Sequence, residues 1–195
     1  MLSQAALETL LHVFGVGSVP GVGSGFSVGR EINIYSERME AAVQVRRARA
    51  EDAETIAAVL FASFVEFRPL YTDGGFAATA LPAEQVHARL REGPVWVAER
   101  DGIVIGTVAA VKKGDSAYIR GMAVTPEARG SGAGEKLLQQ AERWAGEEGF
   151  GRVFLSTTPF LHGAIRLYER NHYRRVASGE HDLFGTPLFE MEKVL

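Results

Sequence analysis

The stretch MAVTPEARGSGAGEKLL at residues 122–138 constrains the chain more than any other. It reads as the end of an apolar strand, a stop at Pro126, a glycine-rich turn, and the start of a helix carrying Leu137, Leu138, Ala141, Trp144 and Ala145 on one face. Glycines directly before a helix let successive backbone N–H groups converge with no Cβ in the way, and the helix dipole adds positive potential there. Such a turn is a seat for phosphate. Two familiar phosphate loops do not fit its letters. A P-loop needs Gly-Lys-Ser/Thr, whereas Lys136 follows Glu135 and precedes Leu137. A dinucleotide fingerprint needs a third glycine where Glu135 stands and a βαβ unit around it, whereas the strand before this turn closes an antiparallel meander.

The meander is legible from its turns. Residues 95–99 and 103–111 are strand-like and joined by Asp101-Gly102, a strong hairpin signal, and Lys113-Gly114-Asp115 turns the chain into a third strand over 117–124. Ahead of it, 43–48 predicts a strand, and Asp52 precedes a helix in which Ile56, Val59, Leu60, Phe64 and Phe67 recur at helical spacing until Pro69. Residues 71–80 read as a loop. Pro82 suits the first turn of a second helix with Val86 and Leu90, stopped by Gly93-Pro94. After the glycine-rich turn and its helix, which ends near Gly149, come a strand at 153–156, a helix at 161–171, and strands at 173–176 and 188–194. This order predicts an α/β (α+β) domain, a mixed, mainly antiparallel sheet of six or seven strands flanked by helices. The chain shows no internal repeat.

Residues 15–29, GVGSVPGVGSGFSVG, offer little to pack and cost much backbone entropy to order, so they read as a flexible linker. Residues 1–38 are therefore expected to be an extension, and 39–195 the domain. No apolar run approaches the roughly 18–20 residues of a membrane helix. The leading apolar stretch has no Lys or Arg before it and contains Glu8, which suits a secretory signal poorly. With no cysteine, a cytoplasmic location is expected, and disulfides, thiolate nucleophiles and Cys-ligated metal are excluded. The five histidines show no paired metal spacing, so no metal is expected. Lys+Arg number 21 against 24 Asp+Glu, a balance without the basic excess that duplex nucleic acid asks for. Neither nucleic acid nor membrane is an expected partner.

The glycine-rich turn resembles the acetyl-CoA motif of the GNAT superfamily of N-acetyltransferases, Arg/Gln-x-x-Gly-x-Gly/Ala between a central strand and a helix, which Arg129, Gly132 and Gly134 match. AIRLYER at 164–170, followed by Tyr173, resembles the later helix of that family at the usual separation. The resemblance implies a GNAT-like fold with acetyl-CoA as co-substrate. By the same resemblance, Arg129, Gly130, Ser131, Gly132, Ala133 and Gly134 would cradle the pyrophosphate, and Met122, Ala123 and Val124 would line the pantetheine and acetyl group. It further implies a bulged central strand that splays from its neighbour, and Tyr168 as the acid that protonates the departing thiolate. Two positions depart from the pattern. Leu161 stands where many relatives have an asparagine that touches the cofactor, and His172, after Asn171, replaces the glycine that ends the helix and must adopt a left-handed conformation.

The chemistry makes independent sense of the tyrosine. An amine attacks a thioester directly, so the enzyme needs no nucleophile of its own, consistent with the absence of Cys and of a Gly-x-Ser-x-Gly elbow. A phenol near pKa 10 and a thiol near about 8.5 are close enough for proton donation as the C–S bond breaks. His162, Glu66, Asp73, Tyr118 and a water chain are all open as the base. Phe64, Glu66, Phe67, Tyr71, Asp73 and Phe184 are candidate acceptor walls, the two acids leaning towards a cationic acceptor. The expected partner is a small-molecule or peptide amine, with a homodimer left open. The alternative function is a non-catalytic acyl-CoA-binding sensor, against which Tyr168 counts.

Overall fold

A computed structural model describes residues 42–177 and 181–195. The expected boundary at Met39 and the extension before it lie outside these residues. The first strand, β1 (Gln44–Arg47), runs antiparallel to β2 (Val95–Arg100). It is anchored by Arg46, whose guanidinium donates to both oxygens of Asp52 at 2.7 and 2.8 Å and to Glu99 Oε1 at 2.6 Å. Between them the chain forms α1 (Ala53–Phe64), a 3₁₀ segment (Val65–Leu70), α2 (Asp73–Thr79) and α3 (Ala83–Glu92).

Helix α2 replaces the loop expected at 71–80. Thr72 caps it by accepting from the Gly75 N–H at 3.0 Å, and Gly74 and Gly75 serve as packing residues there. A Cβ at Gly74 would stand 2.7 Å from Phe184 Cβ, a closeness that only glycine permits.

The meander follows as expected. Asp101 and Gly102 both have positive φ (54° and 74°), as a two-residue hairpin requires, and join β2 to β3 (Ile103–Lys113), which pairs with β4 (Ser116–Val124). Then come α4 (Ala133–Glu147), β5 (Arg152–Thr157), α5 (His162–Arg170), β6 (Arg174–Arg175), β7 (His181–Leu183) and β8 (Thr186–Val194). The strand order is β1-β2-β3-β4-β5-β8-β6, with β7 paired to β8. Among the described residues only β4 and β5 run parallel, so the sheet is mixed and mainly antiparallel, as the sequence predicts.

The described residues form eight strands, because β7 and β8 make a further hairpin across Phe184 (φ 51°) and Gly185 (φ 84°). A phenylalanine in the left-handed region is not a turn signal in sequence. The strand expected at 173–176 shrinks to two residues, since Tyr173 turns its ring into the core.

Helices cover both faces of the sheet, and alternation along β2 shows it. Val95 and Val97 pack with Ile56, Val59, Leu60 and Val86 of α1 and α3, whereas Trp96 and Ala98 pack with Leu137, Leu138 and Ala141 of α4. A strand buried on both sides reads as a continuous apolar run, which is why 95–98 does not alternate in sequence.

Candidate active site

The site is built where β4 changes its mind about which face it presents. Ala117 and Ile119 point to the α4 side, but further on Met122 and Val124 do, so the parity of the strand has shifted by one. The pairing agrees: Thr107 faces Ala123 and Ala109 faces Arg120, leaving two residues of β4 against one of β3. This is a β-bulge, and Gly121 (φ 58°) occupies it. On its other edge β4 pairs with β5 only at Ala117, Tyr118 and Ile119, after which the strands part. A cavity of about 980 Å³ lies in the gap. It reaches both faces of the sheet, from Phe64, Tyr71 and Arg89 on one side to Gly132, Gly134 and Tyr168 on the other.

At the far end of β4, the 3₁₀ turn Pro126–Ala128 leads into the glycine-rich loop. Gly130 and Gly132 have φ of 82° and 81°, and a Cβ on either would meet no atom within 4 Å. These glycines are thus required by backbone conformation and border open space, not packed protein. Gly132 is the N-cap of α4, and the first intrahelical bond is Lys136 N–H to Gly132 O at 3.1 Å. Among the described residues, the N–H groups of Gly130, Gly132, Gly134 and Glu135 have no protein acceptor, so a set of donors at a helix N-terminus is free for an anion.

Of the residues expected to hold the cofactor, Met122, Ala123, Val124, Arg129, Gly130, Gly132 and Gly134 line the cavity. Ser131 and Ala133 do not. The Ser131 hydroxyl accepts from the Ala133 N–H at 3.4 Å, and the Ala133 methyl is buried against the sheet. The Arg129 side chain leaves the loop: its guanidinium donates to Ser63 O at 3.2 Å, pairs with Glu66 and lies 5.9 Å from the centre of the Phe67 ring. It ties the loop to the end of α1.

Tyr168 lies on the buried face of α5, its ring 5.8 Å from that of Tyr173. Its hydroxyl donates to Met122 Sδ at 3.8 Å. Burial, with Tyr118 nearby, pushes the phenol well above the ordinary tyrosine range, so it holds its proton at neutral pH. The C-terminal end of α5 has the geometry expected of it: His172 takes φ 69° and Asn171 Nδ2 donates to Leu167 O at 2.9 Å. Leu161 opens the helix, makes no side-chain cap, and packs against the α1 side of the core.

The other sequence candidates separate cleanly. Phe64, Phe67, Tyr71 and Tyr118 line the cavity; Glu66, Asp73, His162 and the exposed Phe184 do not. Glu66 is taken by Arg129 and Asp73 by Arg68, which removes the two acids that leaned towards a cationic acceptor. Sequence reasoning passed over Arg89 and Thr158. Arg89 sits in the last turn of a helix just before Arg91 and Glu92 and looks like a solvated residue; nothing in its local pattern signals a cavity.

The Acetyltransferase (GNAT) family matches residues 56–173. The chain belongs to this family. It is an acyltransferase. The match contains all but the first turn of α1, the bulged strand, the glycine loop and Tyr168. The Escherichia coli protein named Uncharacterized N-acetyltransferase YjgM is 30% identical over 138 residues, covering 68% of this chain and 82% of its own. YhfO of Bacillus subtilis, named in the same way, is 27% identical over 151 residues, covering 74% of this chain and 99% of its own. The fold is shared with the PaiA N-acetyltransferase of Thermoplasma acidophilum, solved in complex with coenzyme A. That likeness has a TM-score of 0.67 at 19% identity, over 79% of this chain and 99% of the other. It is also shared with YncA of Salmonella typhimurium, solved with acetyl-CoA, at a TM-score of 0.62 and 22% identity, over 79% and 94% of the two chains. Among the described residues, no helix of this GNAT protein is long and apolar enough to cross a membrane.

Proposed function

We propose that the protein transfers an acetyl group from acetyl-CoA to an amine, with the loop 129–134 seating the pyrophosphate and Met122, Ala123 and Val124 bordering the pantetheine and acetyl group. The observation that carries this reading is that one cavity joins the unpaired N–H groups of the glycine loop to the protonated hydroxyl of Tyr168. The free donors of the loop suit a diphosphate, and the bulge at Gly121 leaves strand backbone without a β5 partner beside the cavity.

Acetyl-CoA supplies an activated acyl group that an amine attacks directly. A C–N bond forms as the C–S bond breaks. The chain's own tasks are to orient the two partners, to exclude water and to move protons. We assign the last of these to Tyr168. Its neutral hydroxyl, held at Met122, gives its proton to the leaving sulfur, the proton that the attacking nitrogen sheds passes to solvent, and solvent returns one to Tyr168. Tyr71 offers a second buried hydroxyl in the cavity. Burial raises its pKa, while hydroxyls of Thr158 and Thr79 oppose that shift, so Tyr71 is also protonated at neutral pH and serves as a hydrogen-bonding wall. We place the catalytic domain at residues 39–195, in the cytoplasm.

The test is calorimetric titration with acetyl-CoA, CoA and ATP, followed by a thiol-release assay over amines and peptides. The reading expects CoA compounds to bind in preference to ATP and CoA to be released with at least one amine. A preference for ATP, or binding without turnover of any amine, contradicts it.

A further inference from the structure

Five arginines line the cavity: Arg89, Arg120, Arg129, Arg166 and Arg170. Arg120 is paired with Glu92 and Arg129 with Glu66, while Arg166 and Arg170 stand exposed on α5. Arg89 is different. It is largely withdrawn from solvent, and among the described residues it makes no hydrogen bond or ion pair. Its guanidinium rests on the bulge, where a Cβ at Gly121 would fall onto Nη1. The next residue along is Met122, which receives the Tyr168 hydroxyl.

Building on the reading under Proposed function, we propose that Arg89 receives a carboxylate of the acceptor, so that the amines acetylated here are amino acids or compounds in which an acid lies close to the reacting nitrogen. Three observations support it. The cation faces the acceptor end, not the phosphate seat. From Gly121 to Val124 the strand covers about 10 Å before the loop even begins, at roughly 3.3 Å per residue. The glycine loop already supplies its own donors for the cofactor's phosphates.

Among the described residues, the acids around this end are also occupied. Glu92 is held by Arg120, Glu66 by Arg129 and Asp73 by Arg68, and the acid lining the cavity, Glu135, belongs to the first turn of α4 at the phosphate end. Among the described residues, a cationic acceptor would meet an unneutralised guanidinium and no free carboxylate at this end.

Finally, a planar guanidinium kept without a partner has its hydrogen-bonding fork available, and a carboxylate fits that fork with two parallel bonds. Burial, together with Arg120, pushes Arg89 down to about 10, opposed by Glu92, so it remains charged at neutral pH in a setting that an incoming anion relieves. The short path from Gly121 to the Tyr168 partner at Met122 places acid and amine within the reach of one small molecule.

The experiment measures CoA release by the full chain with common amino acids, each paired with its carboxamide, and with spermidine as a cationic control. The amide carries the more easily deprotonated amine, so a preference for the acid reflects recognition of the carboxylate. The expected result is a preference for acids of about 10- to 100-fold in kcat/KM, the range of a charge-assisted hydrogen bond. Arg89→Gln should erase that preference by raising KM of the acids far more than KM of their amides, with acetyl-CoA still bound, and Arg89→Lys should restore part of it. Equal use of acids and amides, preference for spermidine, no turnover of any acid by a protein that binds acetyl-CoA, or an equal loss on both members of each pair in Arg89→Gln overturns the inference. Should Arg89→Gln fail to fold, the acid-to-amide ratio of the wild type and of Arg89→Lys still decides. Failure of the wild type to bind acetyl-CoA is a separate result, which sinks the acetyl-transfer reading and this inference with it.

Discussion

Replacing Tyr168 by phenylalanine separates chemistry from architecture more sharply than any other single change. The ring is buried, and its packing against Tyr173 at 5.8 Å survives the substitution. The hydroxyl contributes little to stability: its partner is a thioether at 3.8 Å, a weak acceptor, so its loss should shift stability by less than about 1 kcal/mol. The catalytic cost should be much larger. Loss of one positioned acid costs about 10²–10⁴-fold in rate, equivalent to roughly 3–5 kcal/mol of transition-state stabilisation. Binding of acetyl-CoA should be nearly unchanged, because the loop and the unpaired strand hold the cofactor without the phenol. The assay is single-turnover acetyl transfer with equilibrium binding on the same preparation, and a urea titration to confirm the fold. The raised pKa adds a second signature: the wild-type rate should show no loss from Tyr168 ionisation up to about pH 10, the ordinary value for a tyrosine. A rate within about threefold of wild type would refute the assignment of an acid, and a binding loss that accounts for the whole defect would make Tyr168 a cofactor contact.

Other consequences follow from the same geometry. Gly132→Val should cost only about 1–2 kcal/mol of stability, since its Cβ meets no atom but φ is 81°, while acetyl-CoA binding by calorimetry should vanish as the side chain fills the space before the free N–H groups. Asp52→Ala strips Arg46 of two hydrogen bonds and the Arg49 N–H of its acceptor at 2.6 Å, and should cost about 2–3 kcal/mol in urea unfolding. Alkaline pH should weaken the fold. Burial raises Tyr71, Tyr168 and Tyr173 above the ordinary value of 10.0, so their contribution is fully present below about pH 10 and is lost as the unfolded chain gives up protons that the folded chain retains. Urea midpoints at pH 8 and pH 11 should differ in that direction. A chain starting at Met39 should fold and turn over acetyl-CoA, and loss of activity at unchanged stability would assign residues 1–38 a part in catalysis.

Much of this was readable from local chemistry. The Asp101-Gly102 hairpin, the strand, turn and helix around Gly132, and the left-handed His172 each follow from short-range rules that the tertiary structure leaves intact. What was not readable depends on contacts far apart in the chain. Gly74 and Gly75 look like breakers until Phe184 and Thr186 are seen pressed against them, whereupon the same glycines admit helix α2. The β7–β8 hairpin turns across Phe184 and Gly185, and a phenylalanine in the left-handed region hides the signal that the glycine alone gives only weakly. In the site, the glycine loop and Tyr168 were named from the motifs, whereas the occupation of Glu66 and Asp73 by arginines and the isolation of Arg89 arise only when α1, α3 and β4 meet.

The central claim is that the gap between β4 and β5 seats acetyl-CoA by its free loop donors. Calorimetric titration of acetyl-CoA into wild type and Gly132→Val tests it most directly. The account predicts one molecule bound per chain, competition by CoA and not by ATP, and no heat with the folded variant. Equal binding by the variant, or displacement of acetyl-CoA by ATP, would contradict it.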